Sequence, residues 1–143
     1  MNIYILPIIL SADKEKNTTF ILTQKGQKYK TPIFSLEYPE FFHREVLHRV
    51  CEFFLPEEIK VNNECKYNYL GIQDELSVKY VKKNFDFVTK EDLIITYGGI
   101  LLKYETFEDY QWTPIVISTQ HQGFSPDMNL NLLIHYVIQR SII

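Results

Sequence analysis

The apolar and polar positions of the first 36 residues predict a sheet that begins with antiparallel strands. Residues 2–10 form a nearly unbroken apolar run rich in Ile, which favours a buried strand. The charged segment 13–17 is a predicted turn, and residues 18–23 form a second strand that we expect to pair with the first as a hairpin. Turn residues at 25–27 precede a short third strand within 31–36.

Residues 40–55 carry the clearest helical pattern in the chain. Pro39 suits the first position of a helix, where the missing N–H costs nothing, and Pro56 ends the pattern. Apolar side chains recur at the spacing of a helix with one face toward the core. We expect that face to bury Val46, Val50, Phe53 and Phe54.

The second half of the chain predicts mostly strands. Apolar and polar residues alternate over 66–73, which predicts a strand. The apolar positions of 74–87 fit both helical spacing and strand alternation, and we favour a strand. Apolar runs at 93–97 and 100–104 flank Gly98 and Gly99, and a Gly-Gly pair is typical of a tight hairpin turn.

The end of the chain predicts one more strand and a final helix. The strand covers 111–118, and the helix opens with Ser125 as its cap and Pro126 at its first position. The expected core-facing residues of this helix are Leu130, Leu133, Ile134, Val137 and Ile138.

Strands therefore outnumber helices, and many of the connections are predicted hairpins. This order predicts an α+β fold, a mixed and largely antiparallel sheet flanked by helices. A doubly wound parallel sheet would need a helix after most strands. The length of 143 residues suits one domain that covers 1–143.

Composition and charge narrow the classes of function. Fifteen Lys and Arg against eighteen Asp and Glu give a net charge of −3, without the basic excess that nucleic-acid binding needs. Cys51 and Cys65 are too few for a disulfide scaffold and too far apart for a zinc knuckle. The apolar start is too short to span a membrane. We expect a cytoplasmic protein with no membrane association.

The order of the predicted elements, together with two short motifs, resembles that of a known family. Arg44 and Glu45 lie in the predicted helix 40–55, and a Trp-containing strand at 111–114 precedes the last helix. Together they resemble the Nudix hydrolase superfamily, a resemblance that implies an α/β/α sandwich. In that family clustered glutamates hold a divalent metal against a diphosphate. Here His48 and Arg49 stand where two of those glutamates are expected.

The resemblance implies a Nudix-like binding or scaffold domain without the usual metal-hydrolase site, and so without a cofactor. Its expected partner is a protein or a small nucleotide-like ligand. One alternative is a divergent Mg²⁺-dependent hydrolase of nucleoside diphosphate derivatives, with Glu37, Glu40 and Glu45 as metal ligands and catalytic residues. Another is an unrelated α+β interaction protein.

Five residues are candidates for binding such a partner. Arg44 and His48 lie on the polar side of the helix 40–55, and His121 lies in a predicted loop. Tyr110 and Trp112 belong to an aromatic cluster of the kind that stacks on ligands or forms interfaces. Each has a simpler alternative, because Glu–Arg pairs on a helix satisfy one another and aromatic residues also fill cores.

Overall fold

The computed structural model describes residues 2–13, 18–36, 66–101, 109–115 and 124–141. These ranges contain six strands and two helices, an α+β arrangement that confirms the predicted class. The strands are β1 (Ile3–Asp13), β2 (Thr18–Gln24), β3 (Phe34–Leu36), β4 (Lys66–Ile72), β5 (Leu93–Leu101) and β6 (Tyr110–Ile115). The helices are α1 (Glu75–Asn84) and α2 (Met128–Ser141).

All six strands join one sheet in the order β4-β5-β1-β2-β6, with β3 also beside β1. On one side β1 runs parallel to β5, from the pair Ile3–Leu93 to the pair Ser11–Leu101. On its other side β1 pairs antiparallel with β3 near its start and with β2 near its end. The other pairings described, β2–β6 and β4–β5, are antiparallel too. The predicted β1–β2 hairpin and the mixed, largely antiparallel sheet are therefore confirmed.

Both described helices pack on one face of this sheet. They contact each other and β5, and α2 also reaches β1. Alternate residues of β1 point toward them, because successive side chains of a strand lie on opposite faces. The core between helices and sheet contains Leu6, Ile8, Leu10, Ile21, Tyr80, Val81, Phe85, Ile94, Leu130, Leu133, Ile134 and Val137.

The other face of the sheet is buried as well. Ile5, Ile9, Leu22, Ile95 and Tyr97, which alternate with the helix-facing positions, have no exposed surface. A central strand that is buried on both faces needs apolar residues at consecutive positions. This explains the unbroken apolar run at the start of the chain.

The predicted hairpin turn at Gly98 and Gly99 is wrong. Both glycines lie inside β5 and pair with Ile8 and Ile9 of β1. A Cβ on Gly98 would lie 2.6 Å from a methyl group of Val137, so the missing side chain is what admits α2. A glycine inside a strand often marks this kind of close approach.

The strand favoured for residues 74–87 is also wrong, because this segment contains α1. Asp74 caps the helix by accepting a hydrogen bond from the Ser77 N–H at 3.2 Å. Lys79 donates to Glu75 one turn earlier at 2.8 Å, a spacing that stabilises helices. The helix buries Tyr80 and Val81 against the sheet.

The last helix begins later than the sequence predicts. Its first residue is Met128, so Ser125 does not cap it and Pro126 is not its first residue. Asp127 occupies the capping role, because its Oδ1 accepts from the Asn129 N–H at 2.9 Å. The Ser125 hydroxyl instead accepts from the Asp127 N–H at 3.0 Å. The predicted core face is confirmed for Leu130, Leu133, Ile134 and Val137, and Ile138 is partly buried.

The strands β1, β2 and β4 match their predicted positions closely, and β3 is confined to residues 34–36. The strand β6 covers 110–115, and residues 116–118 of its predicted range lie outside the described residues. Gly26 adopts a positive φ of 80° in the predicted turn at 25–27. The predicted helix 40–55 lies outside the described residues, as does the expected burial of Val46, Val50, Phe53 and Phe54. In the described ranges, neither helix is long and apolar enough to cross a membrane.

Candidate functional site

A groove of about 320 Å³ opens at the start of β1, between β3 and the loop 85–92 that follows α1. It is lined by Asn2, Tyr4, Ile33, Ser35 and Phe87. Pockets that bind small ligands usually have volumes of about 300–1,000 Å³ and combine apolar walls with a few polar groups. The volume of this groove is at the lower end of that range, and its lining combines the apolar side chains Tyr4, Ile33 and Phe87 with the exposed polar residues Asn2 and Ser35. We refer to it as the β1 groove.

Sheet register places two of the lining side chains together. Tyr4 of β1 pairs with Ser35 of β3, so the two side chains emerge on the same face of the sheet. That face is the one that carries the helices, since Tyr4 alternates with the buried Ile5 on the opposite face. Phe87 approaches from the loop after α1 and is 56% exposed.

Aromatic rings form a continuous wall beside the groove. Ring centres are 5.6 Å apart for Tyr4 and Phe87, 5.7 Å for Phe87 and Phe85, and 6.0 Å for Phe85 and Tyr80. All three pairs are tilted or edge-on, the arrangements that aromatic quadrupoles favour. The Lys30 ammonium lies 5.8 Å from the centre of the Phe85 ring, so this wall has a cation near one end.

Two buried tyrosines of this wall differ in their hydrogen bonding. The Tyr80 hydroxyl accepts from the Thr31 N–H at 3.0 Å and donates to the Tyr29 carbonyl at 3.2 Å. Burial of the Tyr80 side chain raises the pKa of this hydroxyl. Tyr4 is only 5% exposed, but no described hydrogen bond involves its hydroxyl, and this atom opens on the groove because the enclosed polar side-chain atom without a partner, within the described residues, is the Ser11 hydroxyl. The Tyr4 hydroxyl is therefore available to a ligand in the groove.

Asp92 joins the two sides of the groove. Its Oδ2 accepts from the Thr89 N–H at 2.8 Å, and its Oδ1 accepts from the Asn2 N–H at 3.0 Å. These two bonds hold the pKa of the Asp92 carboxyl below its usual range. The Leu93 N–H also donates to the Asn2 carbonyl at 3.0 Å. The start of β1 is thus fixed against the loop that carries Phe87.

Tyr110 and Trp112 lie on the other face of the sheet. Both are partly buried and pack with Phe34 against Ile9 and Leu22. The Phe34 and Tyr110 rings meet edge-on, with centres 6.1 Å apart. The structure therefore brings these two predicted residues together, but it separates them from the β1 groove by the thickness of the sheet.

The other predicted site residues lie outside the described ranges. They are Glu37, Glu40, Arg44, Glu45, His48 and His121. Among the residues that are described, no three His, Cys, Asp or Glu side chains are grouped so that they would hold a metal ion.

The sequence analysis predicted none of the five residues of the β1 groove, although Tyr4 stands out in the sequence. Tyr4 is the one residue with a polar side-chain atom within the otherwise apolar stretch 3–10. A strand buried on both faces has no need of a hydroxyl there. No feature of the local sequence distinguishes Ile33, Ser35 and Phe87, which are far from Tyr4 in the chain and lie beside it only in the folded sheet.

No protein-family model matches this chain, and no curated protein sequence matches it either. A functional assignment therefore depends on the geometry of the groove.

Proposed function

We propose that this chain is a binding domain whose β1 groove holds a small, planar, nucleotide-like ligand. The observation that carries the proposal is the grouping of Tyr4 and Phe87 with the polar residues Asn2 and Ser35 in one groove of about 320 Å³. Aromatic surface with a few polar groups suits a flat ring that carries hydrogen-bonding atoms.

Phe87 is the expected stacking residue because more than half of its surface is exposed. Stacking of a nucleic-acid base on an aromatic side chain is worth about 1–3 kcal/mol. Lys30 adds a positive charge near the aromatic wall, which suits an anionic group such as a phosphate attached to the ring.

A protein partner is the other occupant that the sequence suggests. Stable protein interfaces bury roughly 1,200–2,000 Å² in total. The groove volume of about 320 Å³ lies within the range of about 300–1,000 Å³ that small-ligand pockets have, so we favour the ligand. The Nudix-like relationship and the cytoplasmic location remain part of the proposal, supported by sequence features alone.

Titration with nucleosides and their monophosphates tests this proposal. We expect chemical-shift changes at Tyr4, Phe87 and Ser35 in NMR spectra, without added metal. Phe87→Ala should weaken binding about tenfold, which corresponds to about 1.4 kcal/mol. Leu132→Ala is the matched control, since Leu132 is an exposed apolar residue on α2 that does not line the groove. Absence of binding at millimolar ligand, or equal binding by Phe87→Ala, would contradict the proposal.

A second assay separates binding from hydrolysis. We expect no release of phosphate or mononucleotide from nucleoside diphosphate derivatives with Mg²⁺ or Mn²⁺, because Arg44 and Arg49 flank Glu45 in the sequence. Metal-dependent release that Glu45→Gln abolishes would support the divergent hydrolase instead.

A further inference from the structure

Among the described residues, the enclosed side-chain polar atom that lacks a hydrogen bond belongs to Ser11. The Tyr4 hydroxyl is therefore not enclosed but opens on the β1 groove, although the side chain as a whole is buried. Within the described residues it has no hydrogen-bond partner, whereas the buried Tyr80 hydroxyl has partners at Thr31 and Tyr29. A phenylalanine at position 4 would preserve the ring contact with Phe87. The hydroxyl therefore adds little to packing, and in the open groove it can bond water or a bound ligand.

The position of Tyr4 indicates which part of a ligand the hydroxyl would meet. Its side chain lines the groove beside Ser35, and its ring touches Phe87 at a tilt of 49°. A flat ring stacked on Phe87 would be tilted by the same 49° to the Tyr4 ring, so the two rings would not stack and the contact left to Tyr4 is a hydrogen bond from its hydroxyl. The hydroxyl would then contact an atom in the plane of the bound ring.

We infer that Tyr4 determines the specificity of the β1 groove and selects heteroaromatic rings that carry a hydrogen-bond acceptor on their edge. This inference rests on the proposed function, since it names the class of ligand for the same groove. A phenolic O–H is a good donor, and it gains most from an acceptor such as a ring nitrogen or a carbonyl oxygen. A ring with only C–H groups on that edge would leave the hydroxyl without a partner and bind more weakly.

Benzimidazole and indole provide a matched pair of probes. They have the same two-ring shape and each has one N–H, but indole has a C–H where benzimidazole has an acceptor nitrogen. We expect the wild-type protein to bind benzimidazole about five- to tenfold more tightly than indole, the range of one neutral hydrogen bond. Binding is measured by NMR titration at a pH where benzimidazole is neutral.

Tyr4→Phe should remove this preference by weakening benzimidazole binding while indole binding stays the same. Tyr136→Phe is the control, because Tyr136 lies on α2 and does not line the groove; it should keep the preference. The melting temperature of Tyr4→Phe should match the wild type, because no described hydrogen bond is lost.

The outcomes separate the two proposals. Equal affinity for both probes, or a preference that persists in Tyr4→Phe, overturns the role of Tyr4 and leaves the groove as a binding site. Failure of both probes and of the nucleosides to bind overturns the proposed function and this inference together.

Discussion

Gly98 of β5 lies directly against Val137 of α2. A methyl group added at Gly98 would be 2.6 Å from Cγ2 of Val137 and 3.0 Å from Cδ1 of Leu70. Gly98→Ala should therefore lower the free energy of unfolding by about 1–3 kcal/mol, the usual cost of overpacking a core. Urea unfolding followed by circular dichroism measures this loss.

The double variant Gly98→Ala/Val137→Ala tests the cause of that loss. Removing the valine methyl groups makes room for the new one, so the double variant should be more stable than the sum of the single losses implies. Strictly additive losses would show that the contact with Val137 is not the reason for glycine at this position.

Tyr80→Phe should lower the free energy of unfolding by about 1–3 kcal/mol, because the buried Thr31 N–H loses its acceptor. Chemical denaturation measures the change. Tyr136→Phe is the control, and we expect little effect there because Tyr136 is only partly buried. Equal losses in the two variants would contradict a structural role for the Tyr80 hydroxyl.

Ser11→Ala should leave stability unchanged or raise it by about 1 kcal/mol. Ser11 is buried, and its hydroxyl has no hydrogen-bond partner within the described residues. Thr23→Ala is the opposite case, since the buried Thr23 hydroxyl pairs with the Thr113 hydroxyl at 2.8 Å. We expect that variant to lose about 1–3 kcal/mol in thermal or urea unfolding. A large loss in Ser11→Ala would reveal a partner for its hydroxyl.

The Asp92 carboxyl should make stability depend on acid pH. Hydrogen bonds from Thr89 and Asn2 lower its pKa in the folded state, so its stabilising effect is present above the unfolded value of about 3.9. The effect is lost as pH falls below that value toward the folded pKa. Melting temperatures measured between pH 6 and pH 2 should fall less steeply in Asp92→Asn than in the wild type.

Glu75→Gln is the control for this pH series. The hydrogen bond from Lys79 lowers the pKa of Glu75, but both side chains are exposed to solvent. Exposed ion pairs contribute little to stability. We expect the melting temperature of Glu75→Gln to depend on pH as in the wild type. A weaker pH dependence in that variant would show that the effect is not specific to Asp92.

Local patterns in the sequence predict the elements whose hydrophobic signal is unambiguous. The apolar run at residues 3–10 predicts β1, and the spacing of Leu130, Leu133, Ile134 and Val137 predicts the face of α2 that packs on the sheet. In both cases the residues that form the core are close together in the chain, so a local pattern contains them: an unbroken apolar run for β1 and helical spacing for α2.

Other features depend on contacts that no local pattern contains. In the segment 74–87, Tyr80 and Val81 fit a helix whereas Phe85 and Phe87 fit a strand; the helix that forms is capped by Asp74 and ends at Asn84, before the two phenylalanines. Gly98 is required by Val137, which lies 39 residues away in the sequence numbering. The β1 groove escaped prediction for the same reason, because the sheet assembles it from residues near 2, 33 and 87.

The parallel pairing of β1 with β5 has a consequence for how the chain folds. Residues Ile3 to Ser11 each pair with a residue 90 positions later, whereas β1 and β2 are joined by a short connection. Closing so long a loop is entropically costly, and contacts of this range slow folding. During synthesis the centre of the sheet cannot form until Leu101 has left the ribosome. Until then, β1 presents an apolar strand edge to its surroundings, which makes the nascent chain prone to aggregation.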